Sequence, residues 1–180
     1  MAFEMAQQLH ASGESVGLVA LLDTQAETPQ VEFDVTTVIS QSVSRYIEIS
    51  VEELSSKEED DQLSHVVNQA KQRNLLPPEF GLENARRYLD VYRAHWKAGQ
   101  KYVPRVYPGK LTLFRASEKP EEFIRRSPAR GWDKLTLAGV DVIPVPGTHN
   151  TLIRNPHAEV LAERLRTCLQ QPEAVGVSGR

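Results

Sequence analysis

The 180 residues, 40% hydrophobic and 25% charged, suffice for one globular domain with a core. A formal net charge of −3 excludes a general electrostatic affinity for nucleic acid or acidic membranes, and no segment is long and apolar enough to span a bilayer. The single cysteine, Cys168, excludes an intrachain disulfide, and the opening MAFEMAQQLH lacks a secretory pattern, so a cytoplasmic protein is expected.

The first expected element is a helix over residues 2–11. Ala2, Met5, Ala6 and Leu9 recur at helical spacing, and Gly13 supplies a stop. Residues 16–22, VGLVALL, form a continuous apolar run, as in a parallel strand buried on both faces, and close on Asp23-Thr24. The middle, about residues 31–99, reads as helical throughout. Val35, Val38, Ile39, Val43 and Tyr46 make one stripe. Ser50 caps a short helix through Leu54. A longer helix over 57–73 turns Leu63, Val66, Val67 and Ala70 inward. The acidic run at 58–61 suits a solvated helix start. Beyond the break at Pro77-Pro78, Leu82, Ala85, Leu89, Tyr92 and Trp96 form the clearest amphipathic stripe.

After Tyr107-Pro108-Gly109 the pattern returns to strands. Residues 111–114 (LTLF) and 140–145 are expected strands, with a short helix near 120–126 and a loop at 131–137 holding Trp132. The last helix, capped by Asn155 with Pro156 in its first turn, turns Leu161, Leu165, Cys168 and Leu169 inward. Residues 171–180 are small and polar and are expected to fray. The order of helix, strand, helical insertion, strand, strand, helix is that of an α/β fold with a mostly parallel sheet.

Two residues stand at expected strand ends: Asp23 after the first and His149 after the last. Carboxyl ends of parallel strands gather on one edge, where ligand sites form. A loop histidine there is placed to take and return a proton near neutral pH, and an acid beside it fixes the ring. Glu118, shortly after the middle strand, is the rival acid. Gly13-Glu14-Ser15-Val16-Gly17 matches G-x-S-x-G in letters, but a nucleophile elbow runs strand, serine, helix. Here the order is helix, serine, strand, so Ser15 is expected at the opposite sheet edge and is rejected as nucleophile. His10, His65, His95 and His157 are scattered and form no metal-ligand cluster; His157 reads as a surface residue.

AFEMAQQL, VALLDT, YVPRVYPGKLTLFRA and GW…VPGTHNTLIRNPHAEVLAERL, in that order, resemble the type I thioesterase domains of nonribosomal peptide and polyketide synthetases. The resemblance runs from Ala2 to about Leu169. It implies the C-terminal portion of an α/β-hydrolase fold, with Asp23 as catalytic acid, His149 as catalytic histidine and residues 31–99 as a helical lid over the acyl channel. It further implies release of an acyl or peptidyl chain held as a thioester on the phosphopantetheine of a carrier protein, with no cofactor or metal bound directly. Two positions depart from the family pattern. Thr148 stands where an aspartate is common before the histidine. The G-x-S-x-G-G segment that precedes the AFEMA helix in the family is not in this sequence, and its serine would fall four or five residues before Met1. The expectation is a domain of which these 180 residues are the C-terminal part. Alternatives are a non-catalytic binding module and a lidded serine esterase acting on small esters.

Overall fold

The computed structural model describes residues 1–26, 32–44, 46–118 and 127–170. The chain divides into two compact units, Met1–Thr28 with Val103–Arg180, and Pro29–Tyr102.

The first unit is built on a parallel sheet of three strands in the order β1 (Ala20–Leu22), β2 (Leu111–Ala116), β3 (Val140–Val145). Ala20 lies opposite Thr112 and Leu22 opposite Phe114; Leu111 lies opposite Val140 and Ala116 opposite Val145. Side chains alternate across the sheet. Leu21, Leu111 and Leu113 face one side, with Phe3 and Ala6 of α1 (Ala2–Ala11), Tyr107 and Trp132. Phe114, Ala116 and Val145 face the other, with Leu152 and with Leu161 of α6 (His157–Gln170). The central strand is therefore apolar on both faces, as a sheet with a helix on each side requires. Pro144, which has no N–H to donate, lies in the edge strand β3, where prolines are tolerated.

Three expectations are corrected here. The expected strand over 16–22 contracts to β1, because pairing begins only where β2 supplies partners; Thr112 N donates to Val19 O at 2.9 Å and Asp23 N to Phe114 O at 2.8 Å. On α1 the buried residues are Phe3, Ala6 and Gln7, while Met5 is 62% exposed and Leu9 is also exposed. The Phe3 ring sits against Trp132 and Tyr107, with centroids 5.1 and 6.1 Å away, and this aromatic contact sets the face that points inward. On α6 Leu161 is buried and Leu165 and Cys168 are partly buried, but Leu169 is exposed, and the helix begins at His157, after the Asn155-Pro156 pair. Residues 131–137 hold a short 3-10 turn, Trp132–Leu135. The expected helix near 120–126 and the tail at 171–180 lie outside the described residues.

The second unit is helical: α2 (Val35–Val43), α3 (Val51–Ser55), α4 (Glu59–Gln72) and α5 (Leu82–Lys101). Val38, Ile39, Leu54, Leu63, Val66, Val67, Ala85 and Leu89 form its core. Tyr46, expected inward, is exposed. Ser50 caps α3 as its sequence position implies, accepting from Glu53 N at 3.2 Å. A buried hydrogen bond from Thr36 Oγ1 to Gln62 Oε1 at 3.1 Å ties α2 to α4. The acidic start of α4 does more than face water. Arg93 pairs with Glu59 at 2.7 Å, and Arg86 Nε donates to Asp60 Oδ1 at 2.8 Å, so α5 is matched to α4 along its exposed side. Such exposed pairs are screened by solvent and contribute little to stability.

Asp34 caps α2, accepting from Thr37 N at 2.7 Å, and hydrogen bonding from the Thr37 side chain, with that backbone bond second, holds its carboxyl below the usual value of 3.8. A lowered folded-state pKa stabilises the fold above the unfolded pKa, and the gain is lost as pH falls through the folded pKa. Asp34→Ala is therefore expected to lose about 1 kcal/mol in urea unfolding at pH 7. The difference should shrink when the same titration is run below pH 3.8.

Candidate active site

The site forms where β1, β2 and β3 end together. Asp23 follows β1 directly. Its backbone takes a left-handed turn at φ 47°, a region disfavoured for residues other than glycine. That turn folds its carboxylate over the end of β2, where Oδ1 accepts from Ala116 N at 3.1 Å. Only 2% of the Asp23 side chain is exposed. A carboxylate so buried requires donors and a counter-charge. Arg130 supplies the charge, with Nη2 3.1 Å from Oδ1.

His149 comes from the loop after β3. Pro146-Gly147 turns the chain, with Gly147 at φ 91°; a Cβ there would lie 2.7 Å from both His157 Cδ2 and Thr151 Oγ1, so glycine is required. Thr148 N donates to Thr151 Oγ1 at 2.8 Å, and Leu152 N donates to Thr148 O at 3.0 Å. Leu152 anchors this turn in the core beside Phe114 and Val145. The loop thereby places His149 Nδ1 3.0 Å from Asp23 Oδ2. The ring itself is 65% exposed. An ionised carboxylate only accepts, so the proton between them sits on Nδ1, and Nε2 is left as the basic nitrogen.

The other candidates fall elsewhere. Glu118 Oε1 accepts from Gly147 N at 3.2 Å, and Glu118 N donates to Gly147 O at 3.0 Å. It fastens the histidine loop to the end of β2 and is not the partner of the ring. Ser15 lies between α1 and β1, at the amino-terminal edge of the parallel strands, opposite His149. His10 lies on α1 beside the Tyr107 ring, and His65 is on α4 and His95 on α5. His157 is partly buried against Gly147 and not a plain surface residue, because the tight loop brings α6 onto it. Among the described residues no group of three or more His, Cys, Asp or Glu is placed to hold a metal ion. Among the described residues no helix is long and apolar enough to cross a membrane either.

Arg130 is the residue that sequence reasoning missed. It sits in a loop without periodicity, and no local pattern couples it to an aspartate 107 positions earlier. The only nearby signal is the Gly131-Trp132 pair that follows it.

No family model matches the chain. It is 28% identical over 182 residues to malpinin synthetase of Mortierella alpina, covering 96% of this chain and 2% of that protein. Among solved structures, the holo four-domain nonribosomal peptide synthetase AB3403, bound to AMP and glycine, superposes with a TM-score of 0.80 at 24% identity, over 95% of this chain and 14% of that one. The Vlm2 thioesterase domain bound with a dodecadepsipeptide gives 0.61 at 19% identity, over 92% of this chain and 63% of that one. The NocB thioesterase domain, solved as a covalent complex with a fluorophosphonate nocardicin G analogue, gives 0.54 at 25% identity, over 93% and 60%.

The chain has the fold of a nonribosomal peptide synthetase thioesterase domain.

It spans less than two thirds of each of these relatives. Asp23 directly follows β1 and His149 lies in the loop after β3, so both stand at the carboxyl edge of the parallel sheet. Thr148, which departs from the common pattern, shapes the turn through its hydrogen bonds with Thr151.

Proposed function

We propose that this chain carries the acid and the histidine of a domain that releases an acyl or peptidyl chain from a carrier protein, where it is held as a phosphopantetheine thioester. The observation that carries the proposal is the 3.0 Å contact between His149 Nδ1 and buried Asp23 Oδ2, at the carboxyl edge of a parallel sheet in a thioesterase fold. His149 Nε2 removes the proton of a serine hydroxyl contributed by sequence outside these 180 residues. The serine oxygen attacks the thioester carbonyl, the carrier thiol leaves with the proton returned by His149, and an acyl-serine remains. Water, or a nucleophile within the acyl chain, then resolves the ester with His149 again as base. Asp23 keeps the ring in the productive tautomer and stabilises the imidazolium that forms in each half-reaction. The helical unit is assigned the lid role that the resemblance implies.

The test is thiol release from an acyl thioester, on N-acetylcysteamine and on a loaded carrier protein. The enzyme is the domain that joins this sequence to its serine segment. Thiol should appear together with an acyl-enzyme that a fluorophosphonate blocks. A folded domain that hydrolyses small oxyesters but leaves both thioesters intact would favour an esterase instead. Ser15→Ala should leave the rate unchanged, since Ser15 is at the wrong edge of the sheet; a loss of activity would reassign the nucleophile.

A further inference from the structure

Arg130 grips Asp23 at two points. Nη2 lies 3.1 Å from Oδ1, and Nη1 donates to the Asp23 main-chain carbonyl. The guanidinium side chain is only 16% exposed, so its charge is weakly screened. The surrounding loop is laid along the same segment: Ala26 N donates to Arg130 O at 3.1 Å, and Trp132 Nε1 donates to Thr24 O at 3.3 Å. Both Asp23 (φ 47°) and Arg130 (φ 52°) are in left-handed conformations. Such backbone persists only where the surroundings over-determine it. Two bonds from one planar fork, one to the carbonyl and one to the carboxylate, fix the Asp23 backbone and its rotamer together.

We infer that Arg130 is a positioning residue of the Asp23–His149 pair, occupying Oδ1 and the Asp23 carbonyl so that Oδ2 alone is presented to the imidazole. The inference rests on the acid and base roles proposed above for Asp23 and His149. It adds a charge to a pair otherwise made of one acid and one base. A carboxylate shared with a guanidinium offers a smaller net field to the imidazolium than a carboxylate alone. Arginine suits the position because its fork reaches two acceptors in one plane, which an ammonium group does not.

The experiment follows the His149 ring by NMR in the domain that joins this sequence to its serine segment, without substrate. The groups that can influence the ring are Asp23 after β1, Arg130 through Asp23, and Glu118 and His157, which both meet the histidine loop at Gly147. The variants are Arg130→Met, Arg130→Gln, Arg130→Lys and Asp23→Asn, each checked for folding by circular dichroism. In the neutral variants the midpoint of the His149 titration should rise by about half a pH unit or more, because the unshared carboxylate holds the imidazolium more strongly. The hydrogen-bonded Nδ1 proton signal should broaden as the acid loses its fixed rotamer. Arg130→Lys should restore most of the midpoint, and Asp23→Asn should lower it. If Asp23→Asn moves the midpoint and both neutral Arg130 variants leave it and the Nδ1 signal unchanged, Arg130 only packs and the inference is overturned while the acid–base pair stands. If Asp23→Asn itself changes nothing, the pair is not coupled, and both the inference and the reading beneath it fail.

Discussion

His149→Ala is expected to lower thioester turnover by roughly 10⁴-fold or more in the domain that joins this sequence to its serine. In the proposed mechanism Nε2 of the exposed ring accepts the proton of the attack and returns it to the leaving thiol. His157 meets the loop at Gly147, but Asp23 is bonded to His149. Asp23→Asn should be nearly as damaging, on the order of 10⁴-fold, because an amide in place of Oδ2 favours the wrong ring tautomer. Glu118→Gln is expected to change turnover by less than about tenfold, since a side-chain amide oxygen can still accept from Gly147 N. Steady-state rates for the three variants, with burst amplitudes for acyl-enzyme formation, decide the assignment. A mild Asp23→Asn together with a severe Glu118→Gln would make Glu118 the acid and would require the histidine loop to move.

The largest expected effect on stability comes from the middle of the sheet. Phe114 is 0% exposed and packs with Val145, Leu152 and Leu161 on the α6 face of β2. Phe114→Ala should destabilise the unit by about 3–5 kcal/mol, from lost burial and from a cavity that neighbours on two strands and a helix cannot close. Against a typical total of about 5–15 kcal/mol that is a large fraction. Trp132, in the core of the same unit, reports the transition when Trp96 is replaced by phenylalanine. The urea midpoint followed by Trp132 fluorescence should fall sharply, and a loss below about 1 kcal/mol would mean that the sheet is not the stabilising centre. The substitution also bears on the site. The Phe114 carbonyl accepts from Asp23 N at 2.8 Å, so loosening β2 loosens the turn that presents the acid.

Much of this was legible in the sequence. The apolar runs and their spacing matched β3 at both ends and stopped two residues short of the end of β2, and the helices of the middle region followed from stripes that do become buried, such as Leu63, Val66, Val67 and Ala70. Asp23 and His149 were legible as strand-end residues because a parallel sheet sends every strand terminus to the same edge. Periodicity misjudged some faces. Met5, Leu9, Tyr46 and Leu169 share helical spacing with buried neighbours yet point outward. Spacing identifies an apolar stripe but not its limits, which depend on what packs against it; on α1 that was an aromatic cluster from distant parts of the chain.

The sequence by itself determined the α/β order, the helical insertion and the two residues on which the chemistry is proposed to turn, because local hydrophobic patterning and strand-end position are local properties. Only the tertiary structure decided that Asp23 and His149, 126 positions apart, lie within hydrogen-bond distance. It also decided that Glu118 serves the loop and not the ring, and that Arg130 closes on the acid. Those outcomes depend on a left-handed turn after β1 with the Arg130 loop laid along it, and on a glycine turn after β3. Such geometry is fixed by packing and hydrogen bonding among distant segments, and no window of the sequence encodes it.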